Sequence, residues 1–206
     1  LKALLDAVPR ELHNDPGYMF ARIQWLRREE KFQEAAQLML AVPKDPNRLH
    51  NLNEWWIERR LLSRKMIDVG EHRTAYLIAR DAALPSRDIY KTEQEFTAGW
   101  IALRFLKDPA VAAQHFARIG VGSVNPTALA RAGYWQGRAA EAAGRAQEAR
   151  AAYGRAAEQE SGRRDLGDVT GQGRRDQAAA NKPRQRRAAS QSQRSRGLRS
   201  ARRQQL

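Results

Sequence analysis

The chain has 206 residues, 37 Lys and Arg against 23 Asp and Glu, and no cysteine. That length allows one or two domains with a real core, and the lack of thiols excludes a disulfide framework and a thiolate metal site without fixing the compartment. No apolar run is long enough to span a membrane, and the start Leu1-Lys2-Ala3, with neither Met nor a signal peptide, reads as a fragment or a processed form whose targeting segment is gone.

Apolar residues recur with helical spacing through residues 16–159, and no strand-like alternation competes with them. Asp15-Pro16 opens the first predicted helix as an N-cap followed by proline at the first helical position. A second begins near Lys31, with the stripe Phe32, Ala35, Ala36 and Met39. After a loop over 43–53, a helix starting near Glu54 carries Trp55, Leu62, Met66 and Val69 and stops at Gly70; its partner begins near Glu71. Beyond a loop over 84–90, a helix from Lys91 carries Phe96, Gly99, Trp100 and Leu103, and Asp108-Pro109 starts the next. The loop over 120–126 ends at the start signal Asn125-Pro126. That helix carries Ala128, Ala132, Trp135 and Ala139 and stops at Gly144; the last begins near Arg145, with Ala149, Ala152, Tyr153 and Ala156.

These eight helices make four hairpins with a unit of about 35–40 residues, the range of helical repeat arrays. The last hairpin, Ala130 to Ala157, is close to the tetratricopeptide pattern, with Tyr134 and Gly137 in its first helix, Gly144 at the turn, and Ala149 and Tyr153 in its second. Each hairpin has an apolar face that it cannot bury alone, so neighbours must stack. The expected fold is all-α, a superhelical array of tetratricopeptide-like hairpins over residues 1–159.

Composition changes near residue 160. Residues 1–160 hold 24 Lys and Arg and 20 Asp and Glu, whereas residues 161–206 hold 13 and 3 and none of the 15 aromatic residues. So little apolar surface cannot offset the entropy of ordering the chain, so 160–206 reads as a disordered, basic, low-complexity tail. One reading makes it an arm for nucleic acid or another polyanion, although it has no stacking residues and no recognised motif. The favoured reading is that it is a frameshift product, because Arg, Gln, Ala, Gly and Ser dominate it and the upstream pattern stops abruptly at Gln159-Glu160.

No catalytic, cofactor-binding or metal-binding residue is expected. His13, His50, His72 and His115 are scattered and read as surface or partly buried helix residues. There is no G-x-S-x-G, Walker A or G-x-G-x-x-G. Glu93 and Glu95 lie near a predicted helix start, where they favour the positive end of the macrodipole. Arg59, Arg60, Arg64 and Arg104 read as solvated faces with i,i+4 pairs. Trp25, Trp55, Trp56, Trp100 and Trp135 read mostly as packing between repeats; Trp55 and Trp56 are adjacent and cannot both face one core, so one of them is the best candidate for a partly exposed aromatic.

The segments Glu95 to Leu106 (EFTAGWIALRFL) and Arg131 to Ala140 (RAGYWQGRAA) resemble the α-superhelical region of soluble lytic transglycosylases. So do Trp55-Trp56, Arg59-Arg60-Leu61-Leu62, Ala75-Tyr76, Asp108-Pro109 with Ala113 and His115-Phe116, and then Ala149 and Tyr153, covering roughly residues 15–158. In that family the superhelix precedes a linker helix and a lysozyme-like domain with one catalytic Glu in a Glu-Ser motif followed by Gly-Leu-Met-Gln. Here Glu160-Ser161 spells the dipeptide too early and without the apolar stretch, a coincidence at a helix end. Cleavage needs a carboxylic acid held protonated in an apolar cleft, which a polar tail cannot supply.

The resemblance implies the superhelical support domain of a truncated, periplasmic protein of peptidoglycan cleavage and turnover. It implies glycan strands as partners, and no activity from this chain alone. The competing reading is a stand-alone tetratricopeptide-like scaffold that binds a protein partner. A third, binding of nucleic acid through the tail, requires affinity that falls steeply with salt.

Overall fold

The computed structural model describes residues 2–161, and all of its regular structure there is helical. The segment from residue 162 onward, on which the polyanion-arm and frameshift readings rest, lies outside the described residues. A short α1 (Lys2–Asp6) and a 3-10 turn (Arg10–Leu12) lead into the first pair, α2 (Pro16–Arg28) and α3 (Phe32–Ala41). A 3-10 turn at Pro46–Arg48 precedes α4 (Leu52–Asp68) and α5 (His72–Arg80). Then come α6 (Asp88–Arg104) with α7 (Pro109–Gly122), and α8 (Pro126–Ala142) with α9 over 146–161.

The helix starts follow local chemistry. Asp15 accepts hydrogen bonds from the amides of Gly17 and Tyr18, Asp108 from Val111, and Asn125 from Thr127 and Ala128, each with proline at the first helical position. These side chains satisfy donors that a helix start leaves unpaired. The start of α4 is different: Asn51 adopts the left-handed conformation, φ +53°, and its side chain caps Glu54.

The turns inside the pairs repeat one geometry. In three of them a left-handed residue, Glu30, Gly70 or Gly144, is followed by an amide that reaches back five residues. Lys31 donates to Leu26, Glu71 to Met66 and Arg145 to Ala140, at 2.8–2.9 Å. This is the Schellman closure, which satisfies the last carbonyls of the first helix. The third pair uses Lys107 at φ +56°, and Asp108 donates to Ala102 at 3.0 Å. Glycine takes this conformation freely, whereas Glu30 and Lys107 carry a steric cost of about 1 kcal/mol each.

Packing runs along the chain and also skips one element. α2 contacts α3 and α4, α4 contacts α5 and α6, and α6 contacts α7 and α8, while α3 also contacts α5. One cluster of buried side chains extends from Leu5 to Ala139. It includes the expected Ala35, Ala36, Met39, Leu62, Met66, Ala132 and Ala139. The stripe assigned to α6 is rotated from expectation: Ala98, Gly99, Ile101, Ala102 and Leu103 are buried, and Phe96 and Trp100 are only half-buried. Helices on several sides of α6 compete for its surface, so its deepest positions are small ones. Val69 falls at the end of its stripe and is exposed, because α4 has already terminated.

The last pair depends on close approach. A Cβ on Gly137 would stand 2.4 Å from Cε1 of Tyr153, and one on Gly133 would stand 3.1 Å from Cβ of Ala156. Gly120 on α7 has open space instead. Gly120→Ala should therefore stabilise the fold by about 0.5–1 kcal/mol through helix propensity. Gly137→Ala should destabilise it by about 1 kcal/mol, because overpacking exceeds that gain. Urea unfolding of the two variants checks this; equal stabilisation by both would contradict the packing of α9 on α8.

Candidate functional site

Along six successive residues of α4, Trp55 to Arg60, side chains reach α2, α3, α5 and α6. A helix turns about 100° per residue, so neighbours in sequence face different elements. Trp55 meets Phe20 of α2 edge-on, with ring centroids 4.8 Å apart. Trp56 points elsewhere, and its Nε1 donates to Oε2 of Glu93 on α6 at 3.3 Å. Both indoles are buried, 4% and 0% exposed, which corrects the expectation that one of them would be partly exposed. Two adjacent tryptophans cannot share one core, but α4 has neighbours on two sides.

Glu58 is buried and pairs with Arg27 of α2 through both carboxylate oxygens, with Arg27 Nη2 donating at 3.1 Å. Arg59 is buried outright, a second correction, since it was expected on a solvated face. Its Nη1 donates to the carbonyl of Ile78 at 3.0 Å and its Nη2 to that of Met39 at 3.3 Å. Both carbonyls lie in the last turns of their helices, α5 and α3, where the helix dipole is negative, and Met39 also accepts from the amide of Val42. Burial pulls the guanidinium down to about 10, opposed by the charge of Asp81. Arg60 donates to the same oxygen of Glu93 at 2.7 Å. Glu93 therefore ties α6 to α4, a more specific task than the helix-start role expected of it.

Beside this joint lies a cleft of about 660 Å³. Arg60, Ser63, Arg64 and Lys65 of α4 line one side, Glu93, Phe96, Thr97 and Trp100 of α6 the other, and Arg131 of α8 reaches it as well. The Arg131 guanidinium lies 3.4 Å from the centroid of the Phe96 ring, a cation–π contact. Partial burial lowers Arg131 from the usual arginine value, and the charge of Glu93 counteracts this. Arg64 and Arg104 are exposed as expected. Arg64 makes no ion pair among the described residues. The sequence could not reveal the cleft, because its walls lie about one repeat apart.

The histidines do not converge. His13 stacks on Tyr18, His72 packs against Phe105, and His50 is exposed. His115 is buried, with Nε2 3.0 Å from the Tyr76 hydroxyl and Nδ1 2.7 Å from Oε2 of Glu95, which Arg118 also approaches. This chain joins α5, α6 and α7 and gives Glu95 a partner across the pair, away from the helix-start role expected of it. Among the described residues no three His, Asp or Glu stand together as a metal site. Glu160-Ser161 falls in the last turn of α9.

Of the carboxylates lining the cleft, Glu93 accepts from Arg60 at 2.7 Å, and Asp68 lies 3.8 Å from Lys65. Glu93→Gln should cost about 1–2 kcal/mol, because it weakens the partner of the half-buried Arg60. Urea unfolding checks it; an unchanged midpoint would show that the α4–α6 joint does not rest on this pair.

Comparisons of the chain with protein-family models, with curated proteins and with solved structures find no match.

Proposed function

We propose that residues 1–159 form a superhelical array of tetratricopeptide-like hairpins, the non-catalytic support region of a lytic transglycosylase-like protein. On this reading the chain acts in the periplasm in peptidoglycan cleavage and turnover, contacts glycan strands, and cleaves nothing by itself. The observation that carries the reading is a repeated joint at the two segments that bear the resemblance. Gly99 of α6 sits against Phe116 of α7, and Gly137 of α8 sits against Tyr153 of α9. In both pairs a glycine of the first helix receives an aromatic ring from the second, 17 and 16 residues later. The recurring turn at Glu30, Gly70 and Gly144 and the contacts of α2 with α4, α4 with α6 and α6 with α8 support the same stacking. The basic cleft gives such an array a place to hold a ligand without chemistry.

Sedimentation with purified peptidoglycan sacculi tests this. The full chain should pellet with sacculi at about 0.3 M salt, where exposed charge attraction is largely screened, and should release no anhydro-muropeptides. Failure to pellet would remove glycan strands as the partner, and release of anhydro-muropeptides would overturn the support role.

A further inference from the structure

The cleft between α4 and α6 is more than a gap in packing, because its charges and donors are not internally matched. It is lined by Arg60, Arg64, Lys65 and Arg131 against only Asp68 and Glu93. Asp68 lies 3.8 Å from Lys65, and Glu93 is already shared between Arg60 and Trp56. Arg64 is left without a carboxylate, and Arg131 has an aromatic face in place of an anion. Two further donors go unused: Arg60 Nε and Ser63 Oγ are buried without hydrogen-bond partners, and Ser63 is fully buried at the cleft. Buried donors are nearly always matched in a folded chain, so such a pair at the wall of a cationic cleft points to an acceptor from outside. Guanidinium groups favour carboxylates, which they can engage in a fork.

The aromatic residues narrow the ligand. Arg131 already covers the Phe96 ring, whose other contacts are Phe116 and Trp135. Arg131 therefore occupies a face of Phe96 on which a sugar ring would otherwise stack. Trp100 meets Phe105 edge-on and is half-buried, which leaves an apolar wall suited to an aliphatic side chain. We propose that this cleft is a binding site for an acidic peptide segment, in which a Glu or Asp carboxylate engages Arg64 and Arg131 and a neighbouring apolar side chain rests on Trp100. The site requires a peptide partner and does not depend on the cell-wall reading, so either can fail alone.

The test is fluorescence anisotropy of a labelled Glu-Leu-Glu-Glu-Leu-Glu peptide with the full chain at about 0.15 M salt. The Gln-Leu-Gln-Gln-Leu-Gln peptide is the neutral control, and N-acetylmuramic acid is the sugar-acid competitor. The acidic peptide should bind, the neutral one should not, and Arg64→Ala with Arg131→Ala should weaken binding about tenfold or more. The basic segment 161–206, with its 13 Lys and Arg, draws polyanions regardless of the cleft. Binding by that route would be unchanged in the double variant, and that result would overturn the proposal. Displacement of the peptide by N-acetylmuramic acid at equal concentration would also overturn it, in favour of a sugar acid. Because Arg131 packs on Phe96, Arg64→Glu serves as a second variant at an exposed position. It should weaken binding about tenfold or more with an unchanged melting curve, and unchanged affinity would overturn the proposal.

Discussion

The arrangement depends on one buried cation. Arg59 is 2% exposed, and an isolated charge at that depth would be prohibitive. It is tolerated because two helices end on it. The carbonyls of Met39 and Ile78 belong to the last turns of α3 and α5, and they supply partial negative charge where a carboxylate would otherwise be needed. The contact to Ile78 pairs a carbonyl near the end of α5, and Met39 takes the guanidinium beside the amide of Val42. One side chain of a first helix thus fixes the ends of two second helices, its own partner's and the previous pair's. The guanidinium is suited to this, because its planar fork reaches two acceptors at once and it keeps its charge where an ammonium would more readily lose it.

Once α3, α4 and α5 are joined in this way, the other joints of α4 follow. Glu58 reaches Arg27 on α2, and Arg60 and Trp56 reach Glu93 on α6. The cleft lies along the same line of contacts. Arg60 and Glu93, which join α4 to α6, line it together with Arg64, Trp100 and Arg131. The joint through Glu93 thus stands beside a wall that carries Arg60, Arg64, Lys65 and Arg131.

Helix existence and order were legible because their signals are local. Asp15-Pro16, Asp108-Pro109 and Asn125-Pro126 start helices where the cap and ring chemistry require, and Gly70 and Gly144 end them. The helix starts placed at Glu54 and Lys91 lie two and three residues late, since Asn51 caps from a left-handed conformation and α6 has no side-chain cap. Glu30 and Lys107 carry no signal for the left-handed turn that they adopt, because tertiary packing imposes it against their preference. The misread polar residues have partners about 20 residues or more away in the chain. Arg59 looks like any surface arginine in a charged helix; only the carbonyl ends 19 and 20 residues away make it a core residue. Glu95 and His115 are likewise ordinary alone and become a buried hydrogen-bonded chain when α6, α7 and Tyr76 meet.

The central claim is that Arg59 couples the ends of α3 and α5 through α4. Amide hydrogen exchange of Arg59→Met, which keeps an apolar side chain but removes both donors, tests it most directly. The account predicts that amides near Met39 to Val42 and near Ile78 to Asp81 exchange faster together, by about tenfold or more. Unchanged exchange at both helix ends, or faster exchange confined to α4, would contradict it.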